Sequence, residues 1–182
     1  MERKIQLSEL SFVPMVRNDI GLCLDIIDDA FGRNVEGSGK SFENKHIDEP
    51  PWSWFGEENV FFYMLRSNND LLGYVVWRQR GMVSHLHSFL ISSRFQRMGL
   101  GKKMLETYHE ESLRLKKTIV LFTLHTYEET KYNHLFYEMY GYQQYKKNDE
   151  LVTKNLNPWI ENCRIHNDWP LTNKKLLFYK SV

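Results

Sequence analysis

The spacing of apolar positions along the chain predicts ten secondary-structure elements in the order β-α-β-β-β-α-β-α-β-β. Alternating apolar and polar residues, or a short apolar run between turn residues, predict a strand, whereas apolar residues three and four positions apart predict a helix. The expected strands cover residues 9–17, 59–66, 71–80, 82–91, 118–124, 142–147 and 174–181. The expected helices cover residues 18–31, 101–116 and 128–140.

Two of the predicted helices have an apolar face that we expect to pack inward. In the helix 101–116 this face consists of Met104, Leu105, Tyr108 and Leu115. In the helix 128–140 it consists of Leu135, Phe136, Met139 and Tyr140. Gly141 follows the second helix directly and is expected to end it in the left-handed conformation that favours glycine.

A glycine-bearing loop, Gln96-Arg97-Met98-Gly99-Leu100-Gly101, joins the strand 82–91 to the helix 101–116. A loop of this kind that opens directly into a helix presents backbone N–H groups to an anion. Gly99 and Gly101 allow the backbone to approach a phosphate closely. A Gly-x-Gly pair is not specific by itself, because glycines also mark ordinary turns.

The residues on both sides of this loop resemble motif A of the GNAT N-acetyltransferase superfamily. An apolar strand ending in Ile91 and an aromatic residue, Phe95, precede the Gln-x-x-Gly-x-Gly order. Farther along, residues 135–142 (LFYEMYGY) are similar to the end of a helix in the same family. Within the superfamily, the segment His85-Leu86-His87 is most similar to serotonin (arylalkylamine) N-acetyltransferase, in which two histidines lie on the same strand at the same distance from the loop.

The resemblance implies an α/β (α+β) fold class: the GNAT fold, a mixed central sheet of about six to seven strands flanked by helices on both faces. It also implies acetyl-CoA as the cofactor, with its pyrophosphate on the backbone amides of residues 96–101 and its pantetheine arm along the preceding strand. The cofactor-binding residues implied in this way are Phe89, Leu90, Ile91, Gln96, Arg97, Met98, Gly99, Leu100, Gly101 and Lys102.

Composition mainly excludes other classes of protein. The 182 residues, 42% hydrophobic and 14% aromatic, suffice for one domain with its own core, and a net charge of +1 gives no pull toward nucleic acid. Cys23 and Cys163 lack metal-type spacing, and the chain shows neither a signal segment nor a membrane-spanning run. We therefore expect a single cytoplasmic GNAT domain over residues 1–182, with no metal, no nucleic acid and no membrane partner, and with a homodimer left open. Residues 148–173 are expected to form an insertion atypical of the family.

His85 and His87 are two residues apart on a predicted strand, so both imidazoles are expected on one face of the sheet. An alkyl amine with a pKa near 10.4 is almost wholly protonated at pH 7, and an imidazole with a pKa near 6.5 suits the removal of that proton. A pair of buried structural histidines stays an alternative, while a zinc site lacks a third ligand at a persuasive spacing. In the GNAT fold this strand lines the acyl-transfer cleft, so we predict that His85 and His87 supply the base.

Tyr137 is predicted as the general acid, because it falls at the tyrosine position of the family. A phenol can lend a proton or a hydrogen bond to a departing thiolate. The alternative is that Tyr137 fills space in the core, as we expect of Tyr140 three residues later. His125, just past the apolar run 118–124, is left unassigned.

The acceptor side is predicted from a cluster of aromatic residues ahead of the second strand. Trp52, Trp54 and Phe55 can stack on an aryl group or attract an ammonium group by cation–π contact. The alternative is a satellite hydrophobic cluster beneath a loop.

The predicted function is therefore an acetyl-CoA-dependent N-acetyltransferase that moves an acetyl group to a primary amine of a small molecule, by direct attack in a ternary complex. Two alternatives remain. The acceptor can be the N-terminus or a lysine of a protein, or the domain can bind acyl-CoA without catalysis, which needs only the loop.

Overall fold

The computed structural model describes residues 9–32, 52–127, 131–145 and 175–182. These ranges form a seven-stranded sheet with the strand order β1-β2-β3-β4-β5-β7-β6. The strands are β1 (Leu10–Pro14), β2 (Val60–Ser67), β3 (Asp70–Arg80), β4 (Val83–Ile91), β5 (Leu121–Tyr127), β6 (Gln143–Gln144) and β7 (Lys175–Ser181). The α-helices are α1 (Ile20–Gly32), α2 (Leu100–Leu115) and α3 (Lys131–Met139).

The order of elements confirms the prediction, and so does the mixed character of the sheet. Strands β4 and β5 run parallel, and the other neighbouring strands in the described sheet run antiparallel. Strand β5 begins at Leu121 and not at Thr118, because Lys117 and Thr118 form a turn closed by a hydrogen bond from the Ile119 N–H to the Lys116 carbonyl. Residues 128–130, 146–147 and 174 of the predicted elements, and the expected insertion 148–173, lie outside the described residues.

Apolar side chains pack on both faces of the sheet, as predicted for a sheet between helices. Helices α2 and α3 cover the face that buries Trp77, Tyr108 and Phe178. Helix α1 covers the opposite face, where Cys23 lies in a cluster with Tyr74. We call these the α2–α3 face and the α1 face. None of the helices in the described ranges is long and apolar enough to cross a membrane.

The inward face of α2 agrees with the prediction except at its end. Met104, Leu105 and Tyr108 are buried, whereas Leu115 is 39% exposed in the last position of the helix. The prediction for the other helix, α3, was confirmed for Phe136 and Tyr140, which are partly buried and pack against the core, and was wrong for Leu135 and Met139, which are 58% and 77% exposed. The fully buried residue of this helix is Tyr137.

The C-terminus of α3 explains why Tyr137 is the residue that turns inward. Gly141 has a φ of +84°, and its N–H donates to the Glu138 carbonyl at 3.0 Å, while the Tyr142 N–H donates to the Tyr137 carbonyl at 3.1 Å. This pair of bonds is a Schellman motif, which brings the residue after the glycine against the third-last residue of the helix. The rings of Tyr137 and Tyr142 accordingly meet edge to face, with centroids 5.6 Å apart.

His109 joins helix α2 to this same region. Its Nε2 lies 2.8 Å from the Tyr142 hydroxyl, and its ring packs against Phe122 with centroids 4.3 Å apart. Burial, with a smaller contribution from Lys180, lowers the pKa of His109 from 6.5 to about 4. The imidazole is therefore neutral at pH 7, and protonating it works against the folded state.

We predict that His109 makes the fold sensitive to acid. The pKa is lower in the folded state than in the unfolded state, so the stability it contributes is present above pH 6.5 and is lost as the pH falls toward 4. The free energy of unfolding is expected to fall by about 2–3 kcal/mol over this range of pH. Urea unfolding of the wild type should show it between pH 7 and 4, and His109→Gln should flatten this part of the profile. The control variant His134→Gln should keep the wild-type fall in stability between pH 7 and 4. If His109→Gln kept it as well, the pH dependence would not come from His109.

Candidate active site

Strands β4 and β5 separate partway along their length and leave a gap in the sheet. They pair over four residues, from Val83–Leu121 to Leu86–Leu124. Both strands continue past this point, β4 to Ile91 and β5 to Tyr127, without further pairing between them in the described residues. The first residues beyond the point of separation are His87 on β4 and His125 on β5.

A β-bulge sets the direction of the side chains at this point. Val76 of β3 pairs with Ser88, whereas Trp77 pairs with Leu86, so His87 is an extra residue on β4. Bulges of this kind redirect side chains and are frequent next to active sites. The rings of His85 and His87 contact each other with centroids 4.5 Å apart, and the Ser88 hydroxyl lies 3.2 Å from that of Tyr74 on the α1 face.

Three histidines therefore form a connected cluster on the α1 face of the sheet. His85 is 3% exposed, and its Nδ1 lies 2.7 Å from the Thr123 hydroxyl oxygen. Its Nε2 lies 3.3 Å from Nδ1 of His125, which is half-buried. Among the described residues, no group of three or more His, Cys, Asp or Glu side chains is arranged to hold a metal ion.

His125 belongs to this cluster although the sequence left it unassigned. The signal that points to it is its position directly after the apolar core of β5, since neighbouring parallel strands bring residues at similar heights together. What the sequence does not contain is the register of β4 against β5, which pairs His85 with Thr123 and so places His125 alongside.

The predicted acceptor-side aromatics lie on the α1 face, and one of them touches the histidines. Trp54 meets His87 edge to face, with ring centroids 4.7 Å apart. Trp52 packs on Tyr74 and Phe62, with centroids 5.4 and 6.0 Å away, and Phe55 packs on Phe62 at 4.9 Å. Trp54 is thus the member of the trio that borders the cluster, whereas Trp52 and Phe55 pack over strands β2 and β3.

An ion pair links this aromatic segment to the sheet. Arg78 of β3, opposite His85 in the register, lies 3.3 Å from the Glu57 carboxylate. The Arg78 guanidinium also lies over the Trp54 ring, 5.6 Å from its centroid. Trp54 is therefore enclosed between Arg78 and His87.

Tyr137 lies on the opposite, α2–α3 face. Its ring contacts Phe89 of β4 with centroids 6.4 Å apart, and among the described residues its hydroxyl has no hydrogen-bond partner. Burial raises the pKa of Tyr137 well above the ordinary value of 10, so the phenol keeps its proton at neutral pH. The histidine cluster and Tyr137 lie on opposite faces of the sheet. A single ligand can contact both of them only through the gap between β4 and β5.

The loop before α2 has the backbone geometry of an anion cradle. Gly99 has a φ of +78° and forms the N-cap of α2, and Arg97 has a φ of +64°. A Cβ added at Gly99 would meet nothing within 4 Å, so the space in front of this residue is open. The first N–H groups of α2 follow directly and have no partner within the helix, and the positive end of the helix dipole lies at the same place.

Several side chains of the loop make contacts within the protein or lie at its surface. The Gln96 amide donates to the Ile91 carbonyl at 3.1 Å, which ties the loop to the end of β4. Leu100 is 1% exposed and belongs to the core, whereas Met98 is 43% exposed. Lys102 lies 3.8 Å from Glu106 on the surface of α2. An anion would therefore meet mainly the backbone of the loop, and its binding there stays a prediction.

Strand β4 beyond the separation presents its residues to both faces. Phe89 packs toward α3, where it also contacts Phe136 at 6.1 Å between ring centroids, and Leu90 packs on the aromatic cluster of the α1 face. The edge of β4 that turns toward β5 is not covered by a strand in the described residues. An extended chemical group can lie along that edge as an additional strand would.

Comparison with known proteins gives one family. The model of the acetyltransferase (GNAT) family matches residues 27–142, more than half of the chain. No match was found among curated protein sequences. The family match includes the histidine cluster, the loop and Tyr137.

Solved structures with the same fold are similar to the chain over nearly its full length. An acetyltransferase from Streptococcus agalactiae 2603 has a TM-score of 0.68 at 16% identity, with 97% of this chain and 100% of that chain covered. The PaiA N-acetyltransferase of Thermoplasma acidophilum, in complex with coenzyme A, has a TM-score of 0.63 at 13% identity, with 95% and 99% covered. The ribosomal-protein-S18-alanine N-acetyltransferase of Escherichia coli has a TM-score of 0.64 at 13% identity, with 95% and 94% covered.

At such identities the likeness shows the fold, while the family match extends to the kind of activity. The residues present also fit the cofactor of the family, since the open space at Gly99 and the helix start behind it suit a diphosphate. The chain therefore belongs to the GNAT acetyltransferase family, whose cofactor is acetyl-CoA.

Proposed function

We propose that the protein transfers an acetyl group from acetyl-CoA to a primary amine of a small molecule, by direct attack in a ternary complex. The observation that carries this proposal is the gap between β4 and β5, which has the histidine cluster on one face and Tyr137 on the other. Bound acetyl-CoA supplies the acetyl group as an activated thioester.

In this proposal residues 96–101 and the start of α2 hold the diphosphate through backbone N–H groups. The uncovered edge of β4, over Phe89, Leu90 and Ile91, holds the extended arm that leads into the gap. Lys102, near the start of α2, adds a positive charge at the surface. Because the contacts are mostly to the backbone, the unusual conformation of Gly99 is the feature on which they depend.

The histidine cluster is proposed to accept the proton that the amine must lose. His87 is half-buried beside Trp54, so it borders the side from which an acceptor arrives. His85 lies behind it, buried, and completes the base proposed from the sequence. A base near neutral pKa restores the nucleophilic fraction of an amine that is otherwise protonated at pH 7.

Tyr137 is proposed to donate a hydrogen bond or a proton to the departing thiolate. Burial keeps its phenol neutral up to a pH well above 10, so the donor is present throughout the working range. Its position beside Phe89, on the far side of the gap from the histidines, suits a group that acts on the leaving atom and not on the amine.

A small amine is favoured as the acceptor by the surroundings of Trp54. The indole stands between Arg78 and His87, and the Glu57–Arg78 ion pair fixes the segment that carries it. Because the Arg78 guanidinium already lies over the Trp54 ring, the indole is proposed to stack on the aryl part of an acceptor beside the base. The resemblance to serotonin N-acetyltransferase concerns the histidine pair and the loop, and it names no acceptor.

The test is the release of free thiol from acetyl-CoA with a panel of arylalkylamines, polyamines, aminoglycosides, amino acids and short peptides. The proposal expects turnover with one class of small amine. Turnover with peptides alone would favour a protein acceptor instead. Tight binding of CoA with no thiol release across small amines and peptides would favour a module that binds acyl-CoA without catalysis.

We predict that Gly99→Ala weakens the binding of CoA by about tenfold or more. The new Cβ occupies the open space in front of the loop and strains a backbone with positive φ. Gly81→Ala is the matched control, because Gly81 also has a positive φ and open space but lies in the turn between β3 and β4. Calorimetry with CoA measures both variants, and equal affinities for CoA would remove the loop from the cofactor site.

We predict that Tyr137→Phe lowers kcat about 100-fold and leaves the melting temperature nearly unchanged. The ring contacts with Phe89 and Tyr142 persist, and the lost hydroxyl has no hydrogen-bond partner in the described part of the chain. Tyr140→Phe, in the turn directly after the same helix, is the control and should keep full activity. Steady-state kinetics decide the matter, since full turnover by Tyr137→Phe would eliminate Tyr137 as the acid.

A further inference from the structure

The end of strand β4 is held by a neighbouring strand on one side only. Beyond Leu86, where β4 and β5 separate, β4 continues to pair with β3, and its other edge has no partner strand in the described residues. The last pair of the ladder between β3 and β4 joins Gly73 to Ile91. The position of the β4 edge that faces the gap is therefore set by β3.

Gly73 lets the end of β4 approach β3 more closely than a side chain would allow. A Cβ added at this buried position would collide with the Leu90 carbonyl oxygen, and it would lie 2.8 Å from Cδ1 and 3.3 Å from Cα of Ile91. Two of these three atoms belong to the backbone, which cannot turn aside as the end of a side chain can. At Gly101 and Gly141 the nearest atoms belong to side chains instead, at 3.5 Å or more. A glycine inside a strand often marks such a close approach of another backbone.

Two hydrogen bonds connect this strand end to β3 and to the glycine-bearing loop. The Ser92 N–H donates to the Leu72 carbonyl of β3 at 2.9 Å. The Gln96 amide donates to the Ile91 carbonyl at 3.1 Å. A displacement of the end of β4 would therefore reach the loop as well.

We propose that Gly73 is a positioning residue for the cofactor. It touches no ligand itself. By leaving room for the Leu90 peptide, it fixes the edge of β4 along which the extended arm of CoA is proposed to lie. The inference rests on the proposed function for the course of that arm, whereas the cofactor itself is that of the family. Hydrogen bonds to a strand edge weaken steeply with distance and angle, so a displaced Leu90 peptide would bind the arm less tightly.

Packing of the core is the competing explanation for a glycine at this position. The Ile91 side chain is 8% exposed and lies in the core of the α2–α3 face, where a side chain at position 73 would meet its Cδ1. If Gly73 served packing alone, Gly73→Ala would lower the stability of the fold, and the affinity for CoA would recover together with the stability once Cδ1 was removed.

The first experiment measures Gly73→Ala in the wild-type background and in the Ile91→Val background, by calorimetry with CoA and by thermal unfolding. Valine lacks Cδ1, so it relieves the side-chain contact and leaves the collision with the Leu90 carbonyl in place. We expect Gly73→Ala to raise the dissociation constant of CoA about tenfold or more in both backgrounds, and to lower the melting temperature less in Ile91→Val. A dissociation constant that stays within about twofold of the background, or that recovers in Ile91→Val, would overturn the proposal.

Gly21→Ala is the matched control for this experiment. Gly21 lies in helix α1, where an added Cβ would meet nothing within 4 Å, and the variant should keep the wild-type dissociation constant of CoA. These measurements use CoA without an acceptor. A wild type that binds CoA but transfers no acetyl group would therefore count against the proposed function and not against the role of Gly73.

The second experiment needs no substitution and measures hydrogen exchange of the wild type. If the end of β4 carries the arm of CoA, bound CoA should stabilise the pairing that holds this strand end, because coupling between two sites acts in both directions. We expect CoA to slow the exchange of the Ser92 amide, which donates to Leu72. The Met15 amide, which donates to Phe62 near the other end of the sheet, should slow by a smaller factor. Exchange of the Ser92 amide that CoA leaves unchanged would overturn the proposal.

Discussion

The short register between β4 and β5 is the constraint on which the site depends. These parallel strands pair over only four residues and then separate, and a gap opens in the middle of an otherwise continuous sheet. The separation leaves one edge of β4 open to an extended ligand, and it places His87 and His125 on opposite sides of the opening. The bulge at His87 turns that side chain toward His85 and Trp54.

Both faces of the sheet carry buried groups that stay neutral at pH 7, and the gap is where the faces meet; on the α1 face burial raises the pKa values of Tyr74 and Cys23. On the α2–α3 face burial raises the pKa values of Tyr108, Tyr137 and Tyr142 and lowers that of His109 to about 4, so these groups are neutral at pH 7. The α1 face holds the histidine cluster and the Glu57–Arg78 ion pair. A neutral proton donor and a set of basic nitrogens are thus kept apart by the sheet, which suits the two ends of an acyl transfer.

Much of the fold follows from the sequence, because the evidence for it is local. Alternation and helical spacing gave the order of elements, and the glycines indicated a loop before α2 whose backbone a phosphate can approach closely. The inward face of α3 was predictable only in part: Phe136 and Tyr140 pack on the core, whereas Leu135 and Met139 are exposed. Tyr137 is buried instead, and the Schellman motif beyond the helix places Tyr142 against it. The position of His125 beside His85 also depends on strand register, a long-range property that no local pattern contains.

The most direct test of the account is a titration of CoA into isotope-labelled protein, followed by NMR at residues on both faces of the sheet. If the ligand arm enters the gap, signals of His87 and His125 on one face and of Phe89 and Tyr137 on the other should shift together, with one dissociation constant. The loop at Gly99 should shift with them. Shifts confined to the loop, or to one face of the sheet, would contradict the claim that the gap joins the two halves of the site.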